Sequence, residues 1–338
     1  MSYQFDLLTF GEIMLRLSAP GAERIARGEL FEKHAGGSEL NVASGVSLLG
    51  LRTGVITRLP ANEIGVYIKN RTRFVGVSDD YLLYDESEDA RLGIYYYESG
   101  AAPRKPSVIY DRRGSSFTRI ALDEIPAAAF EGVRCFHTSG ITMALSPHVR
   151  SVATELIKRF KAAGSLISFD VNFRASLWSE ELARETITSL LPYIDILFIS
   201  EETCRRMMQR SGTMEEIMRG FCKEYNIKLV ASTQRQVNSP RSHNFGSLMY
   251  SAETDRFYSE PPYQNIDVVD RIGSGDAFVS GVLFGLLNTG DAEVAQKFGN
   301  AAAAVKNTIP GDLPSSDYNE LSRIIKAHDK GDFSEMNR

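Results

Sequence analysis

One short segment, Asp270 to Phe278 (DRIGSGDAF), places two glycines, a serine and an aspartate directly before a long apolar run. If that run is a helix, the backbone N–H groups of Gly273, Ser274 and Gly275 lie at its positive end and form a cradle for an anion. Asp276 beside the cradle would repel a phosphate that is only bound. It can instead take a proton from a substrate hydroxyl while the cradle stabilises a transferring phosphoryl group. A helix cap explains one of these residues but not their combination, so the segment predicts phosphoryl transfer with Asp276 as general base.

The segments that must position this motif alternate between short apolar runs and helical patterns. Runs typical of buried strands are FDLLTFGEI, TGVITRL, VRCFHTSGI, SLISFDVN, IDILFIS and KLVAST. Helical spacing of apolar residues occurs in SELNVASGVSLLGL, PHVRSVATELIKRFKAAG and EVAQKFGNAAAAVKN. This alternation predicts an α/β fold with a doubly wound, mostly parallel sheet that helices cover on both faces.

Two regions, 14–35 and 91–122, interrupt the alternation with short strands of mixed polarity between proline and glycine turns. We expect them to pair as a small separate sheet that forms a lid over the end of the main sheet. The whole chain, 1–338, is then a single domain with this lid. Strand edges on such a sheet invite pairing between subunits, so we expect a homo-oligomer.

Composition limits the partners of the protein. The 338 residues are 43% hydrophobic and 24% charged, which is ordinary for a globular protein. A net charge of −5 without blocks of lysine or arginine argues against nucleic acid or an anionic membrane as partner, because both require a basic surface. The three cysteines are far apart, which favours reduced thiols, and neither an export signal nor a membrane-spanning run is visible. We therefore expect a cytoplasmic protein.

Two segments together, HAGGSELNVASGVSLLG and DRIGSGDAF, resemble the two signatures of the ribokinase-like (PfkB) carbohydrate kinases, and the resemblance covers almost the whole chain. Within that family, GVRCFHTSGITMALSP, SFDVNFR, YDRRGSS and NTIPGDLP resemble the 2-keto-3-deoxygluconate kinases more than ribokinases or fructokinases. The resemblance implies the ribokinase-like fold and the cofactors ATP and Mg²⁺. It also implies phosphorylation of the terminal hydroxyl of 2-keto-3-deoxygluconate, a small sugar acid.

The same resemblance implies a set of sugar-acid contacts, namely Gly37, Asn41, Tyr95, Tyr110, Arg112, Arg174, Asp276 and Asp312. The chemistry agrees, because Asn41 offers both a donor and an acceptor to vicinal hydroxyls. Arg112 can hold a planar carboxylate through two parallel hydrogen bonds, while tyrosines cover the carbon chain. The competing interpretations are strand packing for the tyrosines, a solvated turn for Arg112 and a purely structural turn for Asp312.

Nucleotide contacts are implied for Asn172, Arg174, Asn300 and the cradle residues Gly273, Ser274 and Gly275. Asn172 and Arg174 follow the strand SFDVN at the sheet edge where ligands bind in open α/β folds. By resemblance, Arg174 takes part in catalysis as a bridge between the substrate and the nucleotide phosphates; alternatively, it only pairs with Asp170. Asn300 lines an adenine pocket or simply packs within its helix.

Two segments depart from the family pattern. Where the family usually has a glycine-rich nucleotide loop, this chain has STQRQVNSPRSHNFGSLMY, so nucleotide contacts in 232–250 are not transferred. The Asn-x-x-Glu element that organises magnesium falls at Ser200 to Thr203, where neither end matches, and no residue is assigned to the metal. A kinase of a neutral sugar such as fructose or ribose and a catalytically silent sugar-binding regulator are the alternative functions. The sequence does not separate the gluconate from the galactonate configuration of the substrate.

Overall fold

The computed structural model describes residues 3–331. Its strands, in chain order, are β1 (Phe5–Phe10), β2 (Met14–Ser18), β3 (Glu32–Gly36), β4 (Thr53–Pro60), β5 (Leu82–Asp85), β6 (Gly93–Glu98), β7 (Ser107–Asp111), β8 (Val133–Ser139), β9 (Leu166–Asp170), β10 (Ile196–Phe198), β11 (Leu229–Ser239), β12 (Ser242–Ser251), β13 (Arg256–Ser259) and β14 (Tyr263–Asp267). Its helices are α1 (Ser38–Leu48), α2 (Glu63–Phe74), α3 (Gly140–Ala144), α4 (Pro147–Ala162), α5 (Glu180–Leu190), α6 (Glu201–Arg206), α7 (Met214–Tyr225), α8 (Ser274–Thr289), α9 (Ala292–Asn307) and α10 (Tyr318–Lys330).

The main sheet has the order β13-β12-β11-β10-β9-β8-β1-β4-β5, and β14 also pairs with β12. Every pair from β11 to β5 along this order is parallel, whereas β12 pairs antiparallel with its neighbours. The six apolar runs of the sequence form β1, β4, β8, β9, β10 and the inner half of β11. The predicted mostly parallel α/β sheet is confirmed.

Helices cover both faces of this sheet because alternate strand residues point to opposite sides. On one face, Phe136 of β8 stacks on Phe160 of α4 with ring centroids 4.2 Å apart. On the other face, Phe198 of β10 meets Phe278 of α8 edge to face at 6.1 Å. The apolar run after the predicted cradle is therefore a helix buried against the sheet, and this burial fixes its N-terminus at the sheet edge.

The small sheet has the order β3-β2-β6-β7. Strands β2 and β6 are parallel, while β3 and β7 pair antiparallel on either side. These strands lie in the two regions expected to form it, although the second region changes after Asp111 to 3₁₀ turns at Ser116–Arg119 and Leu122–Glu124. Tyr95 and Tyr97 are buried on one face of β6, because every second side chain of a strand points to the same side.

The polar segment after the inner half of β11 is a hairpin. Strand β11 continues to Ser239, and the chain turns back as β12. The two strands pair antiparallel from Leu229 opposite Ser251 to Ser239 opposite Ser242. Its outer half is exposed at every residue from Gln234 onward, so no apolar alternation signals a strand in the sequence. Over residues 3–331, no helix combines the length and the apolar character that crossing a membrane requires.

Candidate active site

A cavity of about 990 Å³ opens at the carboxyl ends of the parallel strands, beside the small sheet. Its wall contains every residue that the sequence assigns to a ligand except Asn300. These wall residues are Gly37, Asn41, Tyr95, Tyr110, Arg112, Asn172, Arg174, Gly273, Ser274, Gly275, Asp276 and Asp312. The fold thus brings together residues that are far apart in the chain at the edge where open α/β sheets bind ligands.

The N-terminus of α8 has the geometry of an anion cradle. Gly273 precedes the helix with φ of 82°, and a Cβ there would lie 2.1 Å from the Asp312 carbonyl oxygen, so only glycine is tolerated. The Ser274 N–H donates to the Arg271 carbonyl at 3.3 Å. Within residues 3–331, the N–H groups of Gly275 and Asp276 have no acceptor. Open N–H groups at a positive helix end are suited to bind phosphate.

Asp276, the third residue of α8, is held by two neutral donors from α1. Ser38 Oγ donates to one carboxylate oxygen at 3.0 Å, and Asn41 Nδ2 donates to the other at 2.7 Å. Burial raises the pKa of Asp276 above its usual range, and the hydrogen bonds from Asn41 and Ser38 offset part of this rise. A fixed carboxylate with a raised pKa is a better proton acceptor than a solvated aspartate.

Asn172 connects α1 to the end of β9. Its Nδ2 donates to Ser38 Oγ at 3.2 Å, and its own N–H donates to Asp170 at 3.1 Å with a left-handed φ of 35°. Arg174 is exposed at the cavity and donates to the Phe173 carbonyl. The alternative ion pair between Asp170 and Arg174 does not form in the described residues, so the Arg174 guanidinium faces the cavity without a carboxylate partner.

The small sheet is tied to the cradle by a buried ionic cluster. Arg16 Nη1 lies 2.7 Å from Asp270 and 2.9 Å from Asp312. The Tyr95 hydroxyl donates to the other oxygen of Asp312. Asp312 is therefore bound on both oxygens by protein donors, and its contact with a distal substrate hydroxyl remains a prediction.

Glu12, which follows β1, is a site residue that the sequence reading missed. Arg112 Nε donates to Glu12 at 2.8 Å, the Nη2 of the same guanidinium also contacts it, and the Ser115 hydroxyl donates to its second oxygen. The Tyr110 ring lies beside this pair, 5.8 Å from Arg112 Cζ. Arg112 thus lines the cavity with part of its charge already neutralised.

Asn300 lies behind the cavity wall. It is completely buried, and its Nδ2 donates at 2.7 Å to Glu260, which does line the cavity. Arg235 and Arg271 also line the cavity and were not singled out from the sequence. Arg271 lies inside the DRIGSGD motif, and a cationic side chain next to an anion cradle was the sequence feature that could have identified it.

Carboxylates of the wall include Asp170, Glu201 and Glu202. The two glutamates begin α6 and pair with Arg205 and Arg206. Burial, followed by the proximity of Asp276, raises the pKa of Asp170 to about 7. In the described part of the chain, no group of three or more His, Cys, Asp or Glu side chains is arranged to hold a metal. This donor set fits a magnesium ion that needs only one or two carboxylates besides nucleotide phosphates and water.

Glu39 is a buried acid in the lining of the cavity. It accepts hydrogen bonds from Ser139 and Thr142, both at 2.7 Å, and burial raises its pKa from 4.5 to about 7. Because the folded state binds the proton more tightly than the unfolded state, stability is lost as pH rises from the unfolded to the folded pKa. At roughly 1.4 kcal/mol per unit, the loss is about 3 kcal/mol above pH 7.

We therefore expect Glu39→Gln to raise the melting temperature at pH 8 and to change it little at pH 5, because the amide carbonyl still accepts from Ser139 and Thr142. Thermal unfolding of both proteins at the two pH values measures this. Glu185→Gln on the exposed face of α5 is the matched control and should leave the pH dependence unchanged. An equal pH dependence in wild type and Glu39→Gln would contradict the prediction.

Comparisons with known proteins identify the family of the chain. The family model described as pfkB family carbohydrate kinase matches residues 4–317. A 2-dehydro-3-deoxygalactonokinase from Haloferax volcanii is 35% identical over 326 residues, which cover 96% of this chain and 98% of that protein. The name 2-dehydro-3-deoxy is equivalent to 2-keto-3-deoxy.

Solved structures have the same architecture. A 2-dehydro-3-deoxygluconokinase from Thermotoga maritima superposes with a TM-score of 0.90 at 30% identity, covering 96% of this chain and 100% of that one. An uncharacterized sugar kinase from Pyrococcus horikoshii in complex with ATP superposes with a TM-score of 0.74 at 24% identity, covering 94% and 99%, and shows the shared fold alone. A matched family model along nearly the whole chain, and a relative of 35% identity over 98% of its length, establish that the chain belongs to the pfkB family of carbohydrate kinases.

Proposed function

We propose that this sugar kinase transfers the γ-phosphoryl group of ATP to the terminal hydroxyl of 2-keto-3-deoxygluconate. The observation that carries the proposal is that Asp276 and the open N–H groups of the α8 N-terminus line the same cavity as Tyr95, Tyr110 and Arg112. The first group of residues suits phosphoryl transfer, and the second suits a short chain with a carboxylate.

In the proposed reaction, the terminal hydroxyl of the sugar acid lies between Asp276 and the cradle. Asp276 accepts the hydroxyl proton as the oxygen attacks the γ-phosphorus. The bond between that phosphorus and the bridging oxygen breaks, and ADP leaves with the bonding electrons. The N–H groups of Gly275 and Asp276 stabilise charge on the transferring group, because they are already oriented and need no reorganisation.

Arg174 is positioned to assist this transfer. Among residues 3–331 its guanidinium has no carboxylate partner, and it lines an adjoining cavity of about 510 Å³ together with Asn172 and Gly275, so it can contact both substrate and phosphate. Magnesium, when bound by the nucleotide phosphates with support from Asp170 or Glu202, would neutralise charge on the transferring group.

The small sheet acts as the lid in this proposal. Tyr95 of β6 and Arg112, which directly follows β7, line the cavity, and the Arg16–Asp312 ion pair connects the small sheet to the cradle. A lid that excludes water protects the transferring phosphoryl group from hydrolysis. The outer strand β7 is exposed at every residue, and such an open edge is what the expected homo-oligomer would pair.

Two observations support a sugar acid over a neutral sugar. Arg112 and the tyrosines face the cavity, and the relatives at 35% and 30% identity are both named as kinases of 2-dehydro-3-deoxy sugar acids. Those two names differ in the configuration of the substrate, gluconate or galactonate. The galactonate epimer is therefore the second candidate substrate.

The test is ATP-dependent ADP release with 2-keto-3-deoxygluconate, its galactonate epimer, fructose and ribose. We expect turnover with the two acids, higher kcat/KM for the gluconate form, and little turnover with the neutral sugars. Faster turnover of fructose or ribose would replace the proposal with a neutral-sugar kinase. Sugar-acid binding by calorimetry without any ADP release would point to a silent regulator.

A further inference from the structure

We propose that Arg235 and Arg271 form a polyphosphate subsite that binds the phosphate chain of the nucleotide beside the α8 cradle. The inference rests on the proposed function in one respect, the use of a nucleoside triphosphate as phosphoryl donor. It assigns contacts to a hairpin for which the family pattern gives none.

The two arginines lie on the cradle side of the cavity. Arg271 stands two residues before Gly273, in the loop that leads to the open N–H groups of α8. Arg235 is on β11, and together with Gly275 it also lines an adjoining cavity of about 510 Å³. The sugar-acid residues Tyr95 and Arg112 belong to the small sheet or directly follow it, and Ile272, next to Arg271, packs against the buried cluster that contains Tyr95.

Their charges are not neutralised by the protein. Among the described residues, neither Arg235 nor Arg271 forms an ion pair or donates a side-chain hydrogen bond, whereas Arg112 in the same cavity is paired with Glu12. The two guanidinium groups in the lining of this cavity are therefore available to bind an anion.

The proximity of the two cations indicates which class of anion they bind. Although Arg235 is exposed overall, partial desolvation of its guanidinium lowers the pKa of Arg235, and the neighbouring positive charge of Arg271 lowers it further. Burial lowers the pKa of His243 on the facing strand β12, and the charges of Arg235 and Arg271 lower it further. Two adjacent cations repel, so the ligand that relieves them best carries several negative charges. A sugar acid has one carboxylate, whereas a triphosphate chain has several charges along a line.

The experiment measures steady-state kinetics of Arg235→Gln and Arg271→Gln together with direct binding of inorganic tripolyphosphate. We expect each substitution to raise the KM for ATP by about three- to tenfold and to weaken tripolyphosphate binding equally, while the KM for the sugar acid is nearly unchanged. Arg241→Gln is the matched control, because Arg241 is an exposed arginine at the turn of the same hairpin and does not line the cavity. It should leave all three quantities unchanged.

Unchanged tripolyphosphate binding in both variants overturns the subsite, and so does a rise in the KM for the sugar acid with no change for ATP. If a glutamine variant does not fold, Arg235→Lys and Arg271→Lys keep the charge and should retain part of the affinity. If the wild type binds tripolyphosphate but releases no ADP, and the variants bind tripolyphosphate more weakly, the proposed kinase function fails and the subsite stands.

Discussion

Asp276→Asn is expected to lower kcat by about 10² to 10⁴ and to leave the KM for the sugar acid nearly unchanged, because the amide cannot accept the hydroxyl proton. The geometry should persist. The amide oxygen can accept from Asn41, and the amide nitrogen can donate to Ser38, whose hydroxyl rotates. Steady-state kinetics with the sugar acid measure the change.

The pH profile gives this prediction a second readout. Burial raises the pKa of Asp276, so the acidic limb of kcat in the wild type should lie above the range of an ordinary aspartate. Below that pKa the carboxylate is protonated and cannot act as base, and activity falls as pH is lowered. The Asp276→Asn variant should lack this limb. Asp123→Asn, at an exposed position, is the control for a simple loss of charge. If Asp276→Asn keeps the kcat of the wild type, Asp276 is not the general base.

The cradle and the strands around it were predictable because their signals are local. Glycines at 273 and 275 before an apolar run, and continuous apolar runs such as FDLLTF, encode a helix start and buried strands within a few residues. Alternation along β6 likewise puts Tyr95 and Tyr97 on the same face, and this face is the buried one.

The charge pairs of the site were not predictable because their partners are distant in sequence. Glu12 and Arg112 are 100 residues apart, and Arg16 and Asp312 are 296 apart, so no local pattern announces them. The hairpin was missed for a different reason. The outer half of β11 has no buried face, and an exposed polar strand has the composition of a loop.

The pairing of Arg112 with Glu12 sharpens the prediction for substrate class. Arg112→Leu is expected to raise the KM for 2-keto-3-deoxygluconate by about 10- to 100-fold, because a charge-assisted contact with the carboxylate is lost. Residual activity on fructose or ribose should change little, since these sugars carry no carboxylate. Arg112→Lys should restore only part of the affinity, because a point charge cannot replace the planar guanidinium.

A second substitution separates two causes of this loss. In Arg112→Leu the buried Glu12 carboxylate has lost its cation and itself repels an acidic substrate, so the single variant combines a missing contact with a new repulsion. Glu12→Gln combined with Arg112→Leu removes the repulsion and leaves only the missing contact. If Arg112 binds the carboxylate, the double variant keeps a KM for the sugar acid well above that of the wild type. If its KM returns to the wild-type value, Arg112 serves only to neutralise Glu12, and the sugar-acid carboxylate is held by another cation of the cavity.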